Sequence, residues 1–212
     1  MASRTWNILC WNIHGFNGSD KWVAVRNKIE ESGCSIVCIQ ETKHAVIDSS
    51  FICNFAPRRF DAFEFIPSVG ASGGLLVLWS SSSFVGSVLE KLQFSIGIDF
   101  TSVHNGDQWH LTNVYGPCDD PAHADFMNWF KNCDVNDTIN WIFLGDFNFY
   151  RSLENRNRPA GNLNDTLIFN DAIGHLGLVE LPLKGRNFTW RNVQSDPLLE
   201  QLDWFFTSPN WT

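Results

Sequence analysis

The sequence lacks the segments that would direct it out of the cell or into a membrane. Its N-terminus, Met1–Trp11, has no basic region followed by an apolar run and a small-residue cleavage site, so it is not predicted to be a secretory signal. No apolar stretch approaches the ~18 residues that a membrane-spanning helix needs. The longest stretches, Leu75–Trp79 and Trp141–Leu144, have the length of strands. We therefore expect an intracellular protein that does not bind a membrane.

Cysteine and glycine motifs are also missing. The six cysteines are scattered and none forms a Cys-x-x-Cys pair, which excludes a zinc ribbon or a redox motif of that type. Without a secretory signal, these cysteines are expected to be reduced. No Gly-x-Gly-x-x-Gly or Walker-type loop is present, which argues against the nucleotide-binding folds that use them.

An excess of positive charge is absent as well. Lys plus Arg number 15 and Asp plus Glu number 23, which gives a net charge of −8. A protein that binds nucleic acid through bulk electrostatics would have the opposite sign. Any site that handles phosphate must therefore be local, or be assisted by a metal cation.

What is present suffices for a folded domain. Hydrophobic residues make up 44% of the 212 residues, which excludes intrinsic disorder, and no linker divides the chain, so residues 1–212 are predicted to form a single domain. Asn105-Gly106 predicts a hairpin between Phe94–Val103 and Trp109–Tyr115. Apolar periodicity predicts further strands and helices in a mixed order, which favours packed sheets with helices outside over a regular βαβ alternation. The predicted strands are Thr5–Cys10, Ser35–Gln40, Leu75–Trp79, Trp141–Phe147, Leu178–Leu181, Phe188–Trp190 and Leu202–Phe206, and the predicted helices are Asp20–Ser32, one with Asp120 as N-cap, and Asp165–Leu176.

Several buried strands are predicted to end in carboxylates or amides. Such residues are found at Asn12, at Glu41, at Tyr115 and in the run Asp146-Phe147-Asn148. A single polar strand end is usually just solvated, but strands that lie side by side would bring these ends to one rim. Glu41, helped by Asn12, offers the hard oxygen ligands that suit Mg²⁺ or Mn²⁺. Asp146 could orient or deprotonate a water, and Asn148 and Tyr115 could hold phosphate oxygens.

These residues occur in ordered motifs that resemble those of the endonuclease/exonuclease/phosphatase superfamily. The motifs are Trp11-Asn12-Ile13-His14-Gly15, Gln40-Glu41-Thr42-Lys43, Asn113-Val114-Tyr115-Gly116-Pro117, Gly145-Asp146-Phe147-Asn148, and the pair Phe188-Thr189-Trp190 with Leu202-Asp203. The sequence most resembles the endonuclease domain of plant LINE-type (non-LTR) retrotransposons, particularly in 145–159 and 185–206.

The resemblance implies an α/β (α+β) fold in which two packed mixed β-sheets form a sandwich with helices on the outer faces. It also implies a DNA endonuclease, with a nuclear location, that uses Mg²⁺ or Mn²⁺ to cleave phosphodiesters. Glu41 would bind the metal with support from Asn12, and Asp146 would position the attacking water. Asn148 and Tyr115 would contact the scissile phosphate, Thr189 would be a polar residue on the phosphate side, and Asp203 would be the carboxylate that orients a catalytic histidine.

That histidine marks a departure from the family pattern. The family carries it in a Ser-Asp-His motif after the strand that matches Leu202–Phe206, and none of the six histidines here follows Ser-Asp. The domain is thus expected to be C-terminally incomplete and its activity impaired. Two alternatives stay open, which are another phosphoesterase of the superfamily and an inactive fragment. His14 lies in the first motif, and it is either a bystander or a residue that touches the metal site.

Basic residues form a local group after Asn148. Arg151, Arg156 and Arg158 could contact the DNA phosphate backbone, or they could lie on a solvated loop and pair with Glu154. Trp190 and Trp204, which flank the predicted site, could stack on bases or belong to the core.

Overall fold

A computed structural model describes residues 6–70, 72–135, 138–159 and 161–211. The chain divides into two compact units, Met1–Asn113 and Val114–Thr212. Each unit is described by itself, and the single domain over residues 1–212 stays a prediction.

The first unit contains strands of two sheets and two helices. The strands are β1 (Ile8–Asn12), β2 (Ile36–Gln40), β3 (Ala62–Ile66), β4 (Leu75–Trp79), β5 (Phe84–Lys91), β6 (Ser95–Ser102) and β7 (Gln108–Tyr115), whose last two residues belong to the second unit, and the helices are α1 (Ser19–Ser32) and α2 (Ser49–Phe55). One sheet has the order β1-β2-β4-β3, with β1 and β2 parallel and the other pairs antiparallel. In the other sheet β5, β6 and β7 are neighbours in that order.

Alternate side chains of β2 and β4 point to opposite faces of the first sheet, and all of them are buried, so apolar residues pack on both faces. On one face, Val37, Ile39, Leu76 and Leu78 pack in a cluster with residues of α1 and α2, so the helices cover this face. On the other face, the buried Asn113 of β7 donates through Nδ2 to the carbonyl oxygens of Ile39 (3.3 Å) and Leu76 (3.2 Å) and accepts a hydrogen bond from Gln40. The two sheets of this unit therefore pack face to face, with an amide network inside the interface.

The second unit combines helices with antiparallel strands. Its helices are α3 (Asp120–Lys131), a 3₁₀ turn (Leu153–Asn155) and α4 (Leu163–His175), and its strands are β8 (Asn140–Asp146), β9 (Val179–Glu180), β10 (Trp190–Arg191), β11 (Leu199–Glu200) and β12 (Asp203–Thr207). β12 pairs antiparallel with β8 on one side and with β9 on the other, and β10 pairs antiparallel with β11.

The core of the second unit is built from phenylalanine rings. Ring centroids about 5–6 Å apart are the usual geometry of aromatic packing. Such pairs join α3 to β8 between Phe130 and Phe143, at 5.7 Å, and α4 to β12 between Phe169 and Phe206, at 6.1 Å. The high phenylalanine content of the sequence is therefore largely structural in this unit. The fully buried rings are Phe126, Phe130, Phe143, Phe147, Phe169 and Phe206.

The structure confirms the α/β class with two mixed sheets and helices, and it moves several boundaries. The hairpin around Asn105-Gly106, the fully buried strand β2 and the strand Leu75–Trp79 lie where they were predicted. The first strand is Ile8–Asn12 rather than Thr5–Cys10, and Thr5 lies outside the described residues. Asp119, not Asp120, is the N-cap of α3.

In the described parts of the chain, no helix is long and apolar enough to cross a membrane.

Candidate active-site residues

Glu41 lies in a stretch that continues the first sheet beyond the end of β2. On the β1 side, the N–H of Gly15 donates to the carbonyl oxygen of Glu41 at 2.7 Å. On the β4 side, the N–H of Thr42 donates to the carbonyl oxygen of Gly74 at 3.1 Å. The backbone around Glu41 is thus fixed from both sides, as the support of a precisely placed side chain requires.

The Glu41 carboxylate has a different environment at each oxygen. Asn12 Nδ2 donates to Oε1 at 3.1 Å. Lys43 Nζ lies 3.2 Å from Oε2, and His14 Nδ1 lies 3.4 Å from the same atom. The Glu41 side chain is only 12% exposed, so these contacts act in a partly desolvated place. The structure therefore brings Asn12 and Glu41 together and places His14 and Lys43 beside them, and a contact of His14 with a metal stays a prediction.

Three of these residues have left-handed backbone. His14, Glu41 and Lys43 have φ values of +51°, +52° and +55°, and Asn148 of the second unit has +58°. In the described parts of the chain, these four are the non-glycine residues with positive φ. Such a conformation costs roughly 1–3 kcal/mol and persists only where the surroundings enforce it, usually at functional sites. All four occur in the motifs selected from the sequence.

The Glu41 surroundings fit a divalent cation. Oε1 faces a neutral amide, and Oε2 faces the Lys43 ammonium at 3.2 Å, a positive charge that a cation bound at this oxygen would displace. Asn12 holds Oε1 through its amide nitrogen, while its Oδ1 accepts the N–H of His14 at 3.1 Å. In this arrangement Asn12 orients Glu41, and a role of Asn12 in metal binding stays a prediction.

Asp146 and Asn148 are locked into one turn of the second unit. Asp146 ends β8 and is 4% exposed, and its Oδ1 accepts the N–H of Asn148 at 3.0 Å. Asn148 Nδ2 donates to the carbonyl oxygen of Gly116 at 2.7 Å, and the N–H of Gly116 donates to the carbonyl oxygen of Asp146 at 2.8 Å. This ring of hydrogen bonds ties Gly116, which follows Tyr115, to Asp146 and Asn148, and a phosphate contact by the Tyr115 side chain stays a prediction.

Asp203 joins this group through the β8–β12 ladder. It opens β12 directly opposite Asp146. Directly opposite residues of an antiparallel pair project to the same face, and like charges there destabilise the sheet. Two carboxylates in this arrangement are typical of a functional site rather than of a stabilised sheet.

Thr189 has a backbone role in the structure. Its Oγ1 accepts the N–H groups of both Leu202 and Asp203 at 3.1 Å. The hydroxyl therefore fixes the start of β12 and the position of Asp203. Contact between Thr189 and a phosphate stays a prediction.

The three arginines pair with carboxylates, but not with Glu154. Arg151 pairs with Glu180, Arg156 Nε lies 2.7 Å from Glu200 Oε1, and Arg158 Nη2 lies 2.7 Å from Asp196 Oδ2. These partners are distant in sequence, so the nearby Glu154 was the wrong partner. The Arg156 side chain is 13% exposed and that of Arg158 is 38% exposed. Of these two, Arg158 is the one that solvent and a ligand reach more easily.

Trp204 belongs to the core. It is 2% exposed, and its Nε1 donates to the carbonyl oxygen of Phe149 at 2.8 Å. A buried indole offers no face to a base, so of the two interpretations of Trp204 the structure supports the core one. Stacking by the half-buried Trp190 stays a prediction.

A second group able to hold a cation was missed from the sequence. One ligand atom each from Asp120, His123 and Asp165 lie within 4.8 Å of one another. His123 Nδ1 is 2.9 Å from Asp165 Oδ2 and 3.6 Å from Asp120 Oδ1. The spacing of Asp120 and His123 places them on one face of α3, but no sequence signal connects them with Asp165 on α4.

Comparisons with known proteins agree with the motifs. The family model described as "Endonuclease/Exonuclease/phosphatase family" matches residues 9–212. A curated relative, the "Transposon TX1 uncharacterized 149 kDa protein" of Xenopus laevis, is 24% identical over 182 residues, which cover 82% of this chain and 13% of that protein. The chain thus spans a small part of the length of this relative.

Solved structures show the same fold. An AP endonuclease from Archaeoglobus fulgidus superposes with a TM-score of 0.74 at 15% identity, covering 97% of this chain and 87% of the other. The endonuclease domain of TRAS1, a telomere-specific non-LTR retrotransposon, superposes with a TM-score of 0.67 at 14% identity, covering 97% and 86%. At these identities the likeness establishes the fold.

Proposed function

The chain belongs to the endonuclease/exonuclease/phosphatase family, and from this premise we propose that it is a metal-dependent DNA endonuclease of a retroelement. The observation that carries the proposal is the set of left-handed residues His14, Glu41, Lys43 and Asn148, all within family motifs. Strain of this kind is retained where a fixed geometry serves chemistry.

Glu41 would hold the divalent cation, Mg²⁺ or Mn²⁺, with Asn12 as its support. The proposal is supported by the Asn12–Glu41 hydrogen bond and by the partial burial of the Glu41 side chain, which is 12% exposed. The bound cation would supply charge stabilisation at the phosphate oxygens. Because the chain carries a net charge of −8, such a local positive charge is what allows it to accept a polyanion.

The residues of the second unit would handle the water and the phosphate. Asp146, whose Oδ1 accepts the N–H of Asn148 and whose backbone carbonyl accepts the N–H of Gly116, would orient and deprotonate the attacking water. Asn148 and Tyr115 would donate hydrogen bonds to phosphate oxygens. Asp203 would be the carboxylate that orients a catalytic histidine, and Thr189 would hold it through the backbone.

DNA is the proposed substrate because of the relatives rather than the geometry. The TX1 relative is described as a transposon protein, and the TRAS1 neighbour as the endonuclease domain of a retrotransposon. Both fit the resemblance to LINE-type endonucleases. Action in the nucleus is part of the same proposal.

Turnover is expected to be slow. No Ser-Asp-His occurs in these 212 residues, and a positioned acid or base typically raises the reaction rate about 10²–10⁴-fold.

The proposal is tested with supercoiled plasmid DNA, a phosphoinositide and a nucleoside monophosphate as substrates, each with Mg²⁺ or Mn²⁺. We expect slow conversion of the plasmid to its nicked form and no phosphate release from the other two. The Asp146→Asn variant should lose nicking, whereas Asp171→Asn, a substitution at a solvent-exposed carboxylate of α4, should retain it. Phosphate release without nicking would favour another phosphoesterase of the family, and no turnover of any substrate would favour an inactive fragment.

A further inference from the structure

We propose that His14 supplies a nitrogen ligand to the cation held by Glu41, so that the site prefers a first-row transition-metal ion such as Mn²⁺ over Mg²⁺. The inference rests on the proposed function, because it concerns the same cation. In the proposed function Glu41 holds the metal ion, and the inference adds that His14 determines which metal ion is preferred.

The spacing of the donor atoms fits a shared ion. His14 Nδ1 lies 3.4 Å from Glu41 Oε2. Two donors that each lie about 2.0–2.2 Å from one ion are about 2.9–3.5 Å apart in octahedral or tetrahedral geometry. By contrast, N–H···O hydrogen bonds are usually about 2.7–3.2 Å long. The observed distance falls within the range for two ligands of one ion and is longer than a usual N–H···O hydrogen bond.

The backbone holds His14 at this place. Its N–H donates to Asn12 Oδ1 at 3.1 Å, and its φ is +51°. The following residue, Gly15, donates its N–H to the carbonyl oxygen of Glu41 at 2.7 Å, which ties this loop to the Glu41 segment. The His14 side chain is 54% exposed, so an ion from solvent can reach it. The His14 backbone is thus held in place, while its ring stays open to solvent.

The donor set determines which ion is favoured. Mg²⁺ is a hard ion that takes oxygen ligands in near-ideal octahedral geometry. Imidazole nitrogen suits transition-metal ions, whose affinity for such sites rises from Mn²⁺ towards Cu²⁺. A site made only of carboxylate and amide oxygens would bind Mg²⁺ well. The nitrogen of His14 shifts the preference of the site from Mg²⁺ towards transition-metal ions.

The test uses the full chain and Mn²⁺ alone as the probe. Pulsed electron paramagnetic resonance detects the ¹⁴N coupling of a histidine bound to Mn²⁺, and titration gives the affinities for Mn²⁺ and, by competition, for Mg²⁺. The informative variant is His14→Asn, because asparagine tolerates left-handed backbone. His123→Asn is the matched control, since His123 belongs to the other group able to hold a cation. Circular dichroism confirms that each variant is folded.

We expect His14→Asn to remove the ¹⁴N coupling and to lower the ratio of Mn²⁺ to Mg²⁺ affinity at least about tenfold, a loss typical when the ligand environment is altered. His123→Asn should change neither quantity. Coupling that survives in His14→Asn, or that disappears in His123→Asn instead, would overturn the inference.

A third variant, Glu41→Gln, separates the two proposals. If it abolishes Mn²⁺ binding while His14→Asn leaves the coupling and the affinity ratio unchanged, the inference about His14 fails and the metal site of the proposed function stands. If Mn²⁺ binding is unaffected by Glu41→Gln, the metal site itself is wrong and the inference falls with it.

Discussion

The ammonium group of Lys43 lies 3.2 Å from Glu41 Oε2, the same oxygen that faces His14. Lys43 and Glu41 both have left-handed backbone, a conformation that the surrounding chain must enforce, so the Lys43–Glu41 contact is held in place. A divalent cation at Glu41 and the Lys43 ammonium would therefore compete for one carboxylate oxygen.

Replacing Lys43 should strengthen metal binding. Lys43→Asn removes the competing charge, and because a partly exposed ion pair contributes about 0.2–1 kcal/mol, the dissociation constant for Mn²⁺ should fall by a factor of about 1.4 to 5 at low salt. The gain should shrink as salt screens the pair. Isothermal titration calorimetry measures the change, with Lys91→Asn, which breaks the Lys91–Glu64 pair of the same unit, as the control. Weaker binding by Lys43→Asn would mean that Lys43 assists the cation.

Gly145 should not tolerate a side chain. A Cβ at this position would lie 2.0 Å from the carbonyl oxygen of Val114, and its φ is +141°. Crowding and backbone strain together predict that Gly145→Ala lowers the free energy of unfolding by at least about 2 kcal/mol. The control is Gly174→Ala in α4, where a Cβ meets nothing within 4 Å and should stabilise by about 0.5–1 kcal/mol. Urea denaturation that ranks the two variants in the opposite order would contradict the close approach.

Thr189 should act on stability through its hydroxyl. Thr189→Val leaves two N–H groups without their acceptor, so we expect a loss of about 1–3 kcal/mol in the free energy of unfolding. Thr189→Ser keeps the oxygen and should retain most of the stability. If Thr189→Val folds as stably as the wild type but binds DNA less tightly, the direct phosphate contact predicted from the sequence is the better explanation.

Substitutions of Arg156 and Arg158 should affect different properties, the first the stability of the fold and the second the binding of DNA. Arg156→Gln removes a charged partner of Glu200, both side chains being 13% exposed, and should cost about 2 kcal/mol of stability. Arg158→Gln should leave stability nearly unchanged, because its partner Asp196 is 90% exposed. If Arg158 contacts the phosphate backbone, its loss should weaken DNA binding and reduce the salt slope by about one. Fluorescence anisotropy at several salt concentrations checks this, and an unchanged slope would exclude the contact.

The sequence predicted those features that depend on local patterns. The buried runs of β2 and β4, the Asn-Gly hairpin and the polar residues at strand ends could be identified from short stretches. Asn12 and Glu41 meet because β1 and β2 run parallel with Asn12 opposite Gln40, a pairing that only the structure shows. The short helix α2 and the strand β5 were missed, the latter because its exposed residues, such as Val85 and Leu89, obscure the apolar pattern.

Long-range partners could not be predicted in this way. Glu180, Glu200 and Asp196 lie 29 to 44 residues from the arginines with which they pair, so the nearby Glu154 was the natural but wrong choice. The backbone role of Thr189 and the meeting of His123 with Asp165 likewise depend on tertiary packing. The left-handed backbone of His14, Glu41 and Lys43 has no signal in their residue types, because none of them is glycine.

The central claim is that Glu41 holds the cation with which the chain cleaves DNA, and plasmid nicking by Glu41→Gln tests it most directly. Glu30→Gln, which alters an exposed carboxylate of the same unit paired with Arg59, serves as the control. We predict that the wild type and Glu30→Gln nick supercoiled plasmid slowly with Mn²⁺ and not with EDTA, and that Glu41→Gln loses at least about a hundredfold in rate, in line with the loss of a charge-stabilising group. Nicking by Glu41→Gln at the wild-type rate, or nicking that persists in EDTA, would contradict the account.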